Sequence, residues 1–152
     1  MVSDISPNHP KQRLQFFVAQ EIDDSIRALT RDFVLELRSS CDWMCGPPQF
    51  IDHIDEPEDV SKGDLPVETL GGYLEIYTGM PPWNLPHDVD LRHLHEVETL
   101  VQALLAFSVT LQLLIELELD NVFVGAIENG EMDESLTAGF LGEWQRHLDS
   151  AQ

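Results

Sequence analysis

The sequence predicts an α+β domain, with a small antiparallel or mixed sheet of about four strands and three helices packed mainly on one face. Three observations carry this. Apolar residues keep three-to-four spacing near 21–44 and 90–108, and again over a shorter stretch at 135–148. Residues 113–126 alternate apolar and polar positions around Asp120-Asn121, the pattern of a tight hairpin. The order strand, helix, loop, strand, helix, hairpin, helix has only one connection of crossover character, at about 90–108, which disfavours a doubly wound parallel sheet.

Taken in order, residues 1–12 read as a flexible N-terminal segment and Leu14–Ala19 as a short strand. Ile22, Ile26, Leu29, Phe33 and Leu37, followed by Trp43 or Met44, form the stripe of the first helix. Asp23 or Asp24 caps its start, and Gly46-Pro47-Pro48 stops it. A helix reaching that far would bring Cys41 and Cys45 onto one face, where reduced thiols pack as small apolar side chains. Residues 46–72 hold four prolines and crowd Asp52, Asp55, Glu56, Glu58 and Asp59 into eight positions, so they read as a long acidic loop. Tyr73–Tyr77 alternates between Gly71-Gly72 and Gly79 and reads as a strand. Met80–Pro86, with three prolines around Trp83, reads as a loop.

Asp88 or Asp90 opens the second helix, in which Leu91, Leu94, Val97, Val101, Leu104, Leu105 and Ser108 face the core while Arg92, Glu96 and Gln102 point outward. In the hairpin, an uninterrupted register sets Leu119 opposite Val122, Leu117 opposite Val124 and Ile115 opposite Ala126. Glu116, Glu118 and Phe123 then line the other face. Asn129-Gly130 marks a second turn. Asp133 or Ser135 caps a last helix carrying Leu136, Phe140, Leu141, Trp144 and Leu148.

At 152 residues, the chain is expected to form one domain over 1–152. Its 28 acidic against 8 basic side chains give a net charge of −20, opposing any protein that must neutralise phosphates or dock on anionic lipid. Neither direct nucleic-acid binding nor membrane attachment is therefore expected. The N-terminal stretch lacks the pattern of a signal peptide, and no segment approaches 18 uninterrupted apolar residues. A soluble, cytoplasmic protein is the expectation. Apolar residues on both hairpin faces, with Leu114 and Ile127 beside Phe123, leave a homodimer open.

Catalytic chemistry finds no footing in the sequence. There is no Gly-x-Ser-x-Gly elbow, Gly-rich phosphate loop or thiol-enzyme context, so no catalytic residue, cofactor or metal site is assigned. His93 and His95 diverge on a helix, and Glu143 and His147 read as a surface pair. His87, Asp88, Asp90 and His93 form the one set suited to a divalent ion. A small metal-dependent enzyme built on them is an alternative reading.

Charge distribution says more. Residues 1–38 carry five basic and six acidic side chains, whereas residues 39–152 carry only Lys62, Arg92 and Arg146 against 22 acids. Carboxylates beside exposed aromatics steer a Lys/Arg-rich surface in and then anchor it. The expected contact residues are Asp52, Asp55, Glu56, Glu58 and Asp59, Trp83 in its loop, and Glu116, Glu118 and Phe123 on the hairpin; Trp43 and Phe50 are further candidate anchors. In size and charge the chain resembles the bacterial immunity proteins. That likeness implies an antitoxin-like, non-catalytic inhibitor of a basic protein partner such as a nuclease toxin. A structural or regulatory interaction module with incidental acidity is the other alternative. A nucleic-acid mimic ranks lower, because Glu116 and Glu118 make only a short carboxylate row.

Overall fold

Alternating burial builds the sheet. Leu14, Phe16 and Val18 are buried on one side of β1 (Lys11–Val18), while Arg13, Gln15 and Phe17 lie on the other. The computed structural model describes residues 9–55, 67–79 and 84–150. After β1 come α1 (Asp24–Leu37), β2 (Gln49–Asp55), β3 (Val67–Tyr77), α2 (His87–Leu111), β4 (Leu114–Leu119), β5 (Val122–Glu128) and β6 (Glu131–Met132). A π-helical segment, Ser135–Leu141, then runs into α3 (Gly142–Ser150). The α+β class is as expected, but the antiparallel sheet has six strands rather than about four, in the order β2-β3-β1-β4-β5-β6.

The two additional strands are β2 and β6. The stretch read as a long acidic loop contains all of β2 and the first half of β3. Phe50, Ile51 and Ile54 do not alternate cleanly, and an edge strand tolerates charge, so Asp52 and His53 masked it. β6 arises because Asn129 and Gly130 both take positive φ, turning the chain back so that Glu131 pairs with Glu128. β1 and β2 run parallel with β3 between them, and α1 joins them; β3 and β4 run parallel with β1 between them, joined by α2. Both long helices are thus crossovers, not one alone, and β1–β4 have the βαββαβ order of the split, ferredoxin-like motif. Gly71 and Gly72 make this centre possible. A Cβ at Gly71 would lie 1.9 Å from the Phe16 carbonyl oxygen, and one at Gly72 would meet the Phe16 ring at 2.7 Å.

The hairpin turn forms as predicted, with Asp120 and Asn121 at φ 48° and 69°. Leu119 opposes Val122, but the register then slips: Glu118 pairs with Phe123 and Leu117 with Gly125, leaving Val124 as a bulge. Leu117 therefore does not face Val124, nor Ile115 Ala126. The extra residue brings Ile127 beside Ile115 in the core, both almost wholly buried. It also sets Gly125 beneath Leu136, whose Cβ lies 2.4 Å from where a Gly125 Cβ would be.

α1 begins at the expected cap, where the Asp23 carboxylate accepts from the Ile26 amide at 2.8 Å. It ends seven residues before Met44, the outer limit of the predicted stripe, because the backbone amide and hydroxyl of Ser40 both donate to the Leu37 carbonyl and close the last turn. Cys41 and Cys45 consequently share no helix face. Cys41 is exposed and Cys45 half-buried, and both are free thiols. Trp43 folds back into the core, donating its Nε1–H to the Arg38 carbonyl at 3.2 Å. The stripe of α1 is also rotated from the expected one: Thr30, Val34 and Leu37 are buried, whereas Leu29 is 41% exposed.

α2 starts after Pro86, with Asp88 and Asp90 in its first turn where carboxylates favour the helix dipole. By length and composition it could cross a bilayer, its most apolar window having a mean hydropathy of 1.2. Here Leu94, Val97, Leu100, Val101 and Leu104 are buried, so it serves as the core helix. Glu96 was expected outward but is buried. It accepts from the Met44 amide at 3.1 Å and pairs with Arg92 at 3.3 Å, pinning the segment after α1 onto α2. Burial raises its carboxyl pKa, a shift opposed by that amide and by Arg92. The last helical stretch opens with the Asp133 carboxylate accepting from the Leu136 amide at 2.9 Å, but its first seven residues are π-helical.

Candidate protein-binding surface

The helices cover one side of the sheet, and among the described residues no element covers the other. Cross-strand pairing places Gln49, Tyr73, Gln15, Glu118 and Phe123 in one row of that open face, and Ile51, Gly71, Phe17, Glu116 and Ala126 in the next. Beyond these, Leu114 stands opposite Glu128, and Glu128 opposite Glu131.

The open face is electrically divided. Among the described residues its two cations, Lys11 and Arg13, both sit on β1 and lean onto the tyrosines of β3: the Arg13 guanidinium lies 3.9 Å from the Tyr73 ring centroid, and the Lys11 ammonium 5.7 Å from that of Tyr77. On β4–β6 the carboxylates have no such company. Among the described residues no ion pair reaches Glu116, Glu118, Glu128 or Glu131. Same-face positions along a strand are about 7 Å apart, so Glu118, Glu116 and Glu128 descend this half as a strip of roughly 14 Å. Each is paired across the ladder with an apolar side chain, namely Phe123, Ala126 and Leu114. The Glu128–Glu131 pair sets like charges opposite one another, worth about 0.8 kcal/mol of repulsion at roughly 5 Å in water. A cation seated between them would remove that repulsion.

Two concavities flank the strip. A groove of about 430 Å³ is lined by Leu114, Ala126, Glu128, Glu131, Met132 and Asp133. A shallower one of about 280 Å³ lies beside Phe123, against Val124 and Phe140. Phe123 is 50% exposed and its neighbour Val122 65%, an apolar tip beside the carboxylates.

Of the residues expected to bind a partner, Glu116, Glu118 and Phe123 come together on this strip. Asp52 does not join them. It pairs in β2 with Leu70, whose side chain is in the core, and its carboxylate is held by Arg27 of α1 at 3.0 Å. The same guanidinium reaches Glu68 at 2.9 Å and Asp24 at 3.6 Å. Asp55 ends β2, at the opposite edge of the sheet. Glu56, Glu58, Asp59 and Trp83 lie outside the described residues. Trp43 belongs to the core and Phe50 packs against it, so neither is a surface anchor. Sequence reasoning missed Glu128, Glu131 and Asp133. Their signal was the Asn129-Gly130 turn, which implies a third strand of the meander with Glu131 opposite Glu128.

His87, Asp88, Asp90 and His93 do not converge. His93 points into the core, where its Nε2 accepts from the Tyr77 amide at 3.3 Å. Asp90 accepts from the Trp144 indole at 2.7 Å and lies 3.9 Å from His147. Among the described residues no three His, Cys, Asp or Glu side chains form a metal-binding group. Burial pushes the His93 imidazole down to about 4, aided by the Arg92 charge, and pushes the Cys45 thiol up to about 11. No family model, no curated protein and no solved structure matches the chain.

Proposed function

We propose that this protein is a non-catalytic acidic binding protein whose β4–β6 face receives a basic protein partner, acting in the cytoplasm as an immunity- or antitoxin-like inhibitor of a toxin such as a nuclease. One observation carries the reading: carboxylates and apolar side chains alternate in cross-strand pairs on the half of the open face where, among the described residues, no cation pairs with them. Such a strip does both things a cationic partner requires. Its field accelerates encounter, and Phe123, Ala126 and Leu114 supply dry contact between the charges. A nuclease groove is positive because it holds phosphates, so an inhibitor that fills it is selected for negative charge.

The test is association of the wild-type chain and of a Glu116→Gln/Glu118→Gln/Glu128→Gln variant with the basic protein captured from the native host, across 50–500 mM NaCl. The wild-type on-rate should fall at least about tenfold over that range, and the variant should start slower and respond less to salt. An affinity indifferent to salt and to the three substitutions sinks the proposal.

A further inference from the structure

We infer that the trough between α1 and α2, on the opposite side of the sheet from the acidic strip, is a second docking site, built to take an amphipathic helix with basic residues along one flank. Its origin lies in the rotated stripe of α1. Val34 and Thr30 take the sheet-facing positions, so Leu29 and Phe33 turn toward α2 and leave more apolar surface than the described residues cover. Phe33 stacks on Phe107 with ring centroids 4.4 Å apart and planes 16° from parallel, forming a flat floor between the helices. The trough measures about 480 Å³, and Ala103 and Ala106 keep its α2 wall low enough for another backbone to approach.

Geometry and charge select the occupant. The lining runs from Leu29 to Leu37 on α1 and from Ala103 to Leu111 on α2, eight steps in each case, or about 12 Å. That is a little over two turns of a guest helix laid along the trough. Asp32 and Glu36 stand on the α1 rim one helical turn apart, matching Lys or Arg at i and i+4 on the guest. Arg31 reaches Asp32 at 3.4 Å, but both side chains are more than half exposed and such a pair is weak; Glu36 has no ion pair among the described residues. The α2 rim offers Thr110 and no charge. A second copy of the chain is a poor guest, because each copy carries −20.

A fluorescent 14-residue leucine/lysine helix peptide and a shuffled peptide of identical composition, titrated by anisotropy in 150 mM NaCl, test the inference. The amphipathic peptide should bind at least about tenfold more tightly than the shuffled one. Ala106→Trp, which fills the trough from an exposed position, should abolish that advantage. Asp32→Asn with Glu36→Gln should weaken binding several-fold, and Glu116→Gln with Glu118→Gln should leave it unchanged, which separates this site from the acidic strip. In the unmodified protein, the methyl resonances of Ala103 and Ala106 should shift on titration, a readout independent of how any variant folds. Equal binding of the shuffled peptide, silent alanine methyls, or sensitivity to the β4 substitutions would overturn the inference. So would a concentration-dependent dimer that Ala106→Trp dissolves.

Discussion

Replacing His93 by Leu should flatten the acid sensitivity of the fold. His93 has no exposed surface. Its Nε2 accepts from the Tyr77 amide, so the neutral ring carries its proton on Nδ1, which has no hydrogen-bond partner. Neither nitrogen offers the imidazolium a partner, and its pKa falls from 6.5 to about 4. Between those values the unfolded chain binds the proton and the folded chain does not, so stability rises with pH through this window and is lost as pH falls. Linkage across a shift from 6.5 to about 4 gives a loss of about 2 kcal/mol between pH 7 and pH 5, and about 3 kcal/mol by pH 4. Buried Glu96, with its carboxyl pKa raised, acts in the opposite sense, and so does relief of carboxylate repulsion in acid. The informative quantity is therefore the difference between the two proteins. Urea unfolding at pH 7, 6, 5 and 4 should show wild type losing about 2–3 kcal/mol relative to His93→Leu, although the variant takes the imidazole acceptor from the Tyr77 amide and starts about 1–3 kcal/mol less stable. Parallel pH profiles would refute the reasoning and place the protonated ring in contact with water.

Three other outcomes follow from packing and charge. Gly125→Val should cost about 2 kcal/mol, a Tm drop of roughly 5 °C in a thermal melt, because Leu136 already fills the space of a Cβ there. Trp144→Phe removes the indole donor from the largely buried Asp90 carboxylate and should cost about 2 kcal/mol in chemical denaturation. Asp90→Asn, which keeps an acceptor oxygen, should cost less. Arg27→Gln leaves Asp24, Asp52 and Glu68 facing one another, so Tm should fall at low ionic strength and recover in 1 M NaCl as the repulsion is screened.

Much of the candidate strip was legible in the sequence because strand periodicity is a local rule. Glu116 and Glu118 share a face by being two apart, and Asp120-Asn121 returns the chain so that Phe123 joins them. Asp52 could not be placed by the same means. Its side of the sheet depends on pairing with β3, and its partner Arg27 lies 25 residues away on α1. The Arg92–Glu96 pair follows from i, i+4 spacing within α2, but Glu96 reads as an outward residue until Met44, 52 residues away, is brought to it, and no spacing rule within the helix contains that contact.

What the sequence determined by itself is the part of this protein set by neighbours within a turn or a strand pair: the α+β class, the Asp23 cap, the apolar stripe of α2, both positive-φ turns and the overall negative charge. Tertiary structure decided the rest. It made both helices crossovers, rotated α1 so that Leu29 and Phe33 border a trough, bulged β5 at Val124, and turned Lys11 and Arg13 toward β3 and away from the carboxylates of β4–β6. Each of these depends on which surfaces meet when segments distant in sequence pack together, and a pattern repeating every two or 3.6 residues carries no record of that meeting.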